Sequence, residues 1–554
     1  MITTKIVSSL EKIFPDEKIS KYPALERISA LKGERVSVQL VYTYENDENS
    51  PRLTYVRRAK PELCGKIAEI ASFKNVRCVP VTYLVHAEGC DDNMERITPG
   101  LFPDVIEPLR YEGFVNLVPG VMFNNWIEFD IPKDYEAGEY TFGIKIDFAG
   151  IVVEASVVIE VINATLPDED IYFTQWFHCD CIAQYYEVPV YSEKHWAAIE
   201  NFARVAARNG INMLLTPVLT PPLDTRIGGE RLTTQLVGIT KTADGYEYDY
   251  TLLDRWIEMC DRVGIKYLEI SHLFTQWGAE HAPKVMATVD GEYRRIFGWE
   301  TTATGEEYST FLKSFVSSLL DHLKKNGNDK RCIFHISDEP GLQHLENYKA
   351  AKAIVADLLK DYKVMDALSK LDFYNTGVIK NPIPASNHVD EFIDAGVKDL
   401  WTYYCVSQWN GVSNRFHSMP ACRNRSIGMQ IYKYDIVGFL HWGYNFYNNQ
   451  FSDSPIDPYL ENSCDYAFTA GDPFSVYPGP DGQCYESCRI KVFFEALQDI
   501  KAMKLCEKLY SKEEVVAAIE DAFGGTVIFK ECARSAEQML RVRARINEMI
   551  KKKV

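Results

Sequence analysis

Strand-like and helix-like segments alternate from about residue 169 to 505, and this alternation constrains the fold more than any other feature. Ser192 can cap a helix that runs to about Arg208, where Asn209-Gly210 ends it. Repeated strand-then-helix units imply a parallel sheet. The strand-like runs are 173–177, 211–215, 265–274, 331–337, 371–375, 400–405 and 438–442. They predict an α/β fold, a (β/α)8 TIM-like barrel with one strand not located.

A doubly wound open sheet is the structural alternative to the barrel. That fold commonly carries a glycine-rich GxGxxG turn after its first strand. No such turn follows 173–177. Its absence favours the barrel without excluding the open sheet.

The first 168 residues have a different pattern. Alternating strands separated by turns occupy 34–42, 76–85, 136–146 and 151–162, which predicts an N-terminal β-sandwich domain. The linker is placed at 166–170. Apolar residues at helical spacing near the C-terminus predict helices that pack on the barrel. The predicted division is 1–168 (β-sandwich), 169–505 (barrel) and 506–554 (C-terminal helical segment).

Charge and apolar patterning narrow the partners and the location. The net charge of −18 argues against a nucleic-acid partner, which would need a basic surface. No apolar run is long enough for a membrane span, and the N-terminus has no secretory pattern. The 14 scattered cysteines are typical of reduced thiols. The expectation is a cytoplasmic protein with no nucleic-acid or membrane partner, and the sequence favours no oligomeric state.

A metal or cofactor site is not predicted. The run His178-Cys179-Asp180-Cys181 has metal-binding residue types, but no second pair lies nearby in the sequence. Structural thiols are the better interpretation, and no cofactor is expected.

Two adjacent carboxylates end the strand-like run at 331–337. Asp338 and Glu339 follow it, and Pro340 favours termination of the strand. Paired carboxylates at the C-terminal end of a barrel strand are typical of enzymes that act on sugars. A surface turn, in which Asp, Glu and Pro are common, is the other interpretation.

Polar and aromatic residues recur at the other predicted strand ends. Each alone is also typical of a protein core, but their recurrence predicts a carbohydrate-binding site. The candidate binding residues are Trp176, His178, His272, Asn375, Tyr403, Tyr404, Trp442 and Tyr444.

Three blocks of sequence resemble a known enzyme family. They are the Asp338-Glu339-Pro340 strand end, Gly438-Phe-Leu-His-Trp-Gly-Tyr-Asn445, and Gly471-Asp-Pro-Phe-Ser-Val-Tyr-Pro-Gly479 followed by Arg489 and 495–499. In order and spacing the chain resembles the β-N-acetylgalactosaminidases of glycoside hydrolase family 123 and related domain-of-unknown-function proteins, over about residues 170–505.

The resemblance implies retaining hydrolysis of a β-linked N-acetylhexosamine, with N-acetylgalactosamine favoured. The 2-acetamido oxygen of the sugar would attack the anomeric carbon and form an oxazolinium ion. Glu339 would be the acid and then the base, and Asp338 would hold the acetamido N–H. Tyr403 or Tyr404 would aim the acetamido oxygen and Trp442 would lie under the ring. His272 or His178 would bind hydroxyls.

Two other function classes stay open. A two-carboxylate retaining glycosidase would use Glu339 as acid/base and a second carboxylate, such as Asp435 or Glu300, as nucleophile about 5 Å away. It would cleave sugars without a 2-acetamido group. A non-catalytic carbohydrate-binding protein would keep the barrel without turnover.

Overall fold

A computed structural model describes residues 1–46 and 52–554, which form two compact units. The first comprises residues 1–170, 409–434 and 485–554, and the second comprises 171–408 and 435–484. This grouping differs from the chain-order division 1–168, 169–505 and 506–554, because two segments inside the predicted barrel domain make their contacts within the first unit.

Within the described residues, the first unit contains sheets that are antiparallel except for one parallel pair, Arg27–Lys32 with Val152–Thr165. In one sheet Arg35–Tyr44 lies between Ile2–Ser8 and Met122–Asp130, and Ala71–Val81 and Gly100–Glu107 continue it. The second sheet has the order Arg27–Lys32, Val152–Thr165, Gly138–Asp147 and Glu62–Cys64, and Arg57–Ala59 pairs with Val115–Leu117. Aliphatic and aromatic side chains from both sheets share one core. The predicted β-sandwich is confirmed.

Helices from the second half of the chain also belong to the first unit. They are Ala421–Lys433, Cys488–Leu509, Lys512–Phe523 and Ala536–Lys551. Arg543 donates to Glu34 at 2.7 Å and to Asp499 at 3.0 Å, so the last helix is tied to residues of its own unit. The sequence expectation placed this segment on the barrel. That packing stays a prediction, and the apolar face of the last helix lies in a hydrophobic cluster with other residues of the first unit.

The second unit is a barrel of eight parallel strands. In chain order these are β1 (Tyr172–Gln175), β2 (Met213–Thr216), β3 (Tyr267–Ile270), β4 (Cys332–Phe334), β5 (Lys363–Ala367), β6 (Asn381–Ile383), β7 (Trp401–Tyr403) and β8 (Gly438–His441). Each strand from β1 to β6 pairs with the next one in sequence, β7 pairs with β8, and β8 pairs with β1. The predicted barrel is confirmed.

One predicted barrel strand is wrong. Residues 371–375 contain the short helix Asp372–Asn375, and the chain places β5 before it and β6 after it. The aromatic pair Phe373-Tyr374 has high strand propensity, but Phe373 instead fills the buried side of a helical turn. The strand β6 has only three residues and contains Pro382, so its signal is weak.

The barrel closes where β7 meets residues 384–386, the chain segment that follows β6. This junction is called the seam below. The Tyr403 N–H donates to Pro384 O at 3.2 Å, and the Ser386 N–H donates to Tyr403 O at 2.8 Å. Ala385 and Tyr403 form a parallel bridge. The backbone of Tyr403 therefore closes the barrel.

Helices surround the barrel strands. They are Cys179–Tyr185, Glu193–Arg208, Thr251–Val263, Glu306–Lys325, Leu345–Leu359, Asp372–Asn375 and Val389–Asp394. An inserted sheet contains Gly238–Thr242, Gly245–Asp249, Val285–Val289 and Glu292–Phe297, and short strands lie at Val476–Pro478 and Cys484–Ser487. Within residues 1–46 and 52–554 no helix combines the length and apolarity that a membrane span requires.

Candidate active site

A cavity of about 160 Å³ lies at the C-terminal ends of the barrel strands. Active sites of (β/α)8 enzymes occupy this face. The residues that line the cavity are Trp176, His178, Leu223, Asp224, Gln276, Trp277, Asp338, Glu339, Ala367, Tyr403, Cys405, Val406, Ser407, Leu440, Trp442, Gln450 and Phe468.

The backbone holds Asp338 and Glu339 where β4 has ended. The Glu339 N–H donates to Ala367 O at the end of β5, at 3.1 Å, and Asp338 O accepts from the Trp277 N–H at 2.8 Å. Glu339 has a φ of 42°, a left-handed conformation that is uncommon for a residue with a side chain. Such strain is typical of functional sites. Both carboxylates line the same cavity, although successive strand residues would point to opposite faces.

Glu339 is held by a phenol. The Tyr403 hydroxyl, at the end of β7, donates to Glu339 Oε1 at 2.6 Å. Burial raises the pKa of Glu339 and this hydrogen bond opposes the rise. Glu339 is nevertheless exposed to solvent at the cavity mouth. The surrounding protein therefore raises the pKa of Glu339 without excluding water from its carboxylate.

Asp338 lies in an environment that opposes its ionisation more strongly. Its pKa is raised well above the ordinary value, first by burial and then by the Glu339 carboxylate, while His335 acts in the opposite direction. Its Oδ1 is cut off from solvent and receives no hydrogen bond from the residues described. The carboxyl groups of Asp338 and Glu339 therefore titrate as a coupled pair. Once one of them is ionised, ionisation of the other is unfavourable.

A buried charge network lies beneath the pair. His335 Nε2 is 2.8 Å from Glu269 Oε1, and His335 Nδ1 is 3.3 Å from Asp366 Oδ1. Burial would lower the pKa of His335, but the two carboxylates outweigh it and raise the pKa to about 10. The imidazolium therefore neutralises part of the charge below the cavity. Asp366 also accepts from the Tyr348 hydroxyl.

Glu269 connects this network to the cavity wall. It accepts from Trp176 Nε1 at 2.8 Å and from the Thr174 hydroxyl at 2.5 Å. Trp176 is therefore fixed as a wall of the cavity by a buried carboxylate, with its indole donor satisfied.

One group of side chains has the composition of a metal site. His272, His335 and Asp366 bring ligand atoms within 4.8 Å of one another. Both ring nitrogens of His335 already form hydrogen bonds, with Glu269 and with Asp366. A metal could bind His335 only by replacing one of the ring protons that make these hydrogen bonds. The donor set fits an ion network better than a metal.

Trp442 forms an aromatic wall after β8. Its Nε1 donates to Asp472 Oδ2 at 2.8 Å, and the rings of Phe446 and Phe468 lie against it with centroids 5.1 and 5.2 Å away. These contacts fix the ring in the cavity, and Asp472 belongs to the third sequence block.

His178 lines the cavity but its ring is committed to the protein. Nε2 lies 2.9 Å from Trp442 O and Nδ1 lies 3.1 Å from Arg231 Nη2. Burial and the Arg231 guanidinium lower the pKa of His178 to about 3, so the ring is neutral. Arg231 also forms an ion pair with Asp180 at 2.8 Å, which gives the run His178 to Cys181 a structural role.

Four predicted binding residues do not line the cavity. His272 is buried and stacks on His335 with ring centroids 4.6 Å apart. Tyr404 points away from the site onto Phe439, as alternation along β7 requires. The other two are Tyr444, whose hydroxyl donates to Phe202 O at 2.8 Å, and Asn375, which is exposed at the end of its helix. The cavity does bring together Asp338, Glu339, Trp176, His178, Tyr403 and Trp442.

Several cavity residues were not anticipated from the sequence, among them Asp224, Gln276 and Trp277. Asp224 follows β2, and burial raises its pKa to about 6. Its N–H donates to Gln276 Oε1 at 2.6 Å, and Trp277 follows Gln276 in the loop after β3. Asp224 lies in a Pro-rich loop with no local signal, whereas Trp277 could have been found as an aromatic residue beyond a strand end.

The two alternative nucleophiles lie outside the cavity. Asp435 is exposed in the turn that precedes β8, at the opposite end of that strand from the site. Glu300 is exposed and pairs with Arg295 at 3.2 Å. Asp224 is the remaining carboxylate among the described residues that line the cavity.

Comparison with known proteins identifies the family. The model of the glycoside hydrolase 123 catalytic domain matches residues 176–506. A family 123 glycoside hydrolase from Clostridium perfringens, whose structure was analysed for the details of glycolipid glycan hydrolysis, superposes with a TM-score of 0.73 at 15% identity, over 100% of this chain and 98% of the other.

Other solved structures are more distant. A GH10 xylanase from termite gut has a TM-score of 0.32 at 10% identity, covering 86% of this chain and 100% of the other, and the β-glucuronidase of Parabacteroides merdae has 0.32 at 10%, covering 90% and 51%. No curated protein matches the sequence significantly. The family model covers more than half of the chain and includes both strand-end carboxylates, so this protein belongs to glycoside hydrolase family 123.

Proposed function

We propose that this glycoside hydrolase cleaves terminal β-linked N-acetylhexosamine, with N-acetylgalactosamine favoured, by retaining, substrate-assisted catalysis. The observation that carries the proposal is the Asp338 carboxylate. It lines the cavity beside Glu339, yet no described residue donates a hydrogen bond to its buried Oδ1. The N–H of a 2-acetamido group is a donor of the kind that this oxygen lacks.

The proton balance of the pair fits these roles. Without substrate, the pKa values of both carboxyl groups are raised. A donor bound to Asp338 would lower its pKa and leave the remaining proton on Glu339. Glu339 would then protonate the leaving oxygen as the acetamido oxygen attacks the anomeric carbon, and would afterwards deprotonate the water that opens the oxazolinium ion.

Tyr403 and Trp442 would position these steps. The Tyr403 hydroxyl donates to Glu339, so we assign it to tuning and orienting the acid. Trp442 offers an indole wall held by Asp472, on which the apolar face of the sugar ring would pack. Because the Clostridium perfringens relative is associated with glycolipid glycan hydrolysis, glycans of that type are the first extended substrates to test.

Asp224 supports a second candidate function. If Asp224 rather than a substrate acetamide supplied the nucleophile, the enzyme would be a two-carboxylate retaining glycosidase on sugars without an acetamido group. A nucleophile must be ionised, and the pKa of about 6 for Asp224 permits this at neutral pH.

A paired panel of aryl β-glycosides tests both candidates. N-acetylgalactosaminide and N-acetylglucosaminide are compared with plain galactoside and glucoside in the wild type and in Asp338→Asn, Glu339→Gln and Asp224→Asn. We expect cleavage of the acetamido sugars alone, with kcat reduced about 100-fold or more in Asp338→Asn and Glu339→Gln, and unchanged thermal unfolding.

The outcomes separate the mechanisms. A thiazoline analogue of the oxazolinium ion should inhibit the wild type competitively. Cleavage of plain glycosides, with a glycosyl-enzyme that is absent in Asp224→Asn, would replace the first candidate by the second.

A further inference from the structure

Trp277 is an exposed aromatic residue at the cavity. It is 41% exposed and lines the cavity together with Asp338 and Glu339. Its φ is 58°, and Gly278 and Ala279 also have positive φ values. A large side chain in the left-handed region is a conformational outlier. The chain therefore holds this indole at the cavity although neither backbone preference nor burial favours it.

The backbone of Trp277 fixes its place relative to the acid. Its N–H donates to Asp338 O at 2.8 Å, one residue from Glu339. Trp277 belongs to the loop after β3, and β3 is the neighbour of β4. Trp442 follows β8, four strands from β4 in a barrel of eight and hence across the barrel from it. The two indoles thus lie on different sides of the cavity.

A second aromatic residue supports Trp277. Phe451 contacts it with ring centroids 6.2 Å apart and planes at 89°. The Arg226 guanidinium lies 5.6 Å from the centre of the Phe451 ring and pairs with Asp453. This arrangement limits the motion of an exposed indole, as a stacking surface requires.

We propose that Trp277 provides the stacking surface of the leaving-group subsite, where its indole packs against the sugar to which the terminal N-acetylhexosamine is joined and so favours disaccharides over simple glycosides. This inference rests on the proposed function, because Glu339 protonates the leaving oxygen and Trp277 is anchored next to Glu339. A pyranose presents an apolar face to an indole and hydroxyls at its edge. Ser407 and Gln450, which also line the cavity, offer hydrogen bonds for such hydroxyls.

The test compares two substrates with the same terminal sugar. One is the methyl β-N-acetylgalactosaminide, and the other carries galactose in place of the methyl group. The ratio of kcat/KM for the disaccharide to kcat/KM for the methyl glycoside is measured in the wild type, Trp277→Ala and Trp277→Phe. We expect the ratio to fall about tenfold in Trp277→Ala, the scale of a lost aromatic contact, and to recover largely in Trp277→Phe.

A matched control separates stacking from a general loss of tryptophan. Trp409→Ala removes a partly buried tryptophan that stacks on His86 in the first unit, with centroids 5.5 Å apart, and should leave the ratio unchanged. Thermal unfolding of every variant is measured alongside. An unchanged ratio in folded Trp277→Ala, or an equal fall in Trp277→Phe, would overturn the subsite.

Binding distinguishes failure of the subsite from failure of the proposed function. If the wild type cleaves neither substrate, the proposed function fails. The disaccharide is then titrated into Glu339→Gln with and without Trp277→Ala, and tryptophan fluorescence and calorimetry are followed. Binding that weakens about tenfold on loss of Trp277 supports the subsite, whereas equal or absent binding in both proteins rejects it.

Discussion

Replacement of Tyr403 by Phe should move the basic limb of the pH profile. The Tyr403 hydroxyl donates to Glu339 Oε1 at 2.6 Å, which stabilises the deprotonated carboxylate and lowers its pKa. Removing the donor raises the pKa of Glu339. Because Glu339 acts first as an acid, its proton is then retained to higher pH, and activity persists further into the alkaline range.

The magnitude follows from the strength of such a bond. A hydrogen bond to a charged group contributes about 1.5–3 kcal/mol, and 1.36 kcal/mol corresponds to one pKa unit. Solvent that reaches Glu339 would replace part of the lost interaction. We therefore expect an upward shift of about one pH unit, at the lower end of that range.

The assay is kcat/KM against pH with an aryl N-acetylhexosaminide, since this parameter reports the free enzyme. Tyr404→Phe is the matched control, because its ring packs on Phe439 and His441 and it contributes nothing to the Glu339 pKa. An unmoved basic limb in Tyr403→Phe, or a shift to lower pH, would refute the assignment of Glu339 as the acid that Tyr403 tunes.

Two further variants test the groups around the cavity. His335→Gln removes the cation between Glu269 and Asp366, and should lower the free energy of unfolding at pH 7 by about 3–5 kcal/mol. The folded-state pKa of about 10 lies above the usual 6.5, so this contribution is complete below pH 6.5 and disappears as pH rises through 10; wild-type stability that stays flat over that interval in denaturant titrations would contradict the network. Trp442→Phe loses the donor to Asp472 at 2.8 Å and should raise KM about tenfold with a smaller change in kcat, and an unaltered KM would exclude Trp442 as the sugar-ring wall.

The sequence predicts long elements and local chemistry better than closure of the barrel. The helix Glu193–Arg208 is predicted from the Ser192 cap and the Asn209-Gly210 end, and its bounds agree with that prediction. The strand β6 could not be found in the same way, because three residues with a proline carry no periodicity. Its position is set by pairing with β5, which is a tertiary contact.

The same limit applies to the candidate site. Adjacent carboxylates and a strand-ending proline made Asp338 and Glu339 visible, and alternation left only one of Tyr403 and Tyr404 able to face the cavity. Choosing between those two required the register of β7, which the seam determines. Asp224 could not be predicted, because it lies in a long loop after β2 and no local sequence pattern indicates that this loop folds back over the cavity.

Tyr403 has two roles, one in closing the barrel at the seam and one in contacting the catalytic acid. The backbone of Tyr403 joins β7 to the segment after β6 through Pro384 and Ser386, and its side chain contacts Glu339. An opening of this edge would separate the Tyr403 hydroxyl from Glu339 and remove the hydrogen bond that lowers the pKa of Glu339. The rate of hydrogen exchange at the Tyr403 and Ser386 amides would thus report how often the hydrogen bond from Tyr403 to Glu339 is lost. Substitutions in the seam would change the pH optimum although they do not contact the sugar.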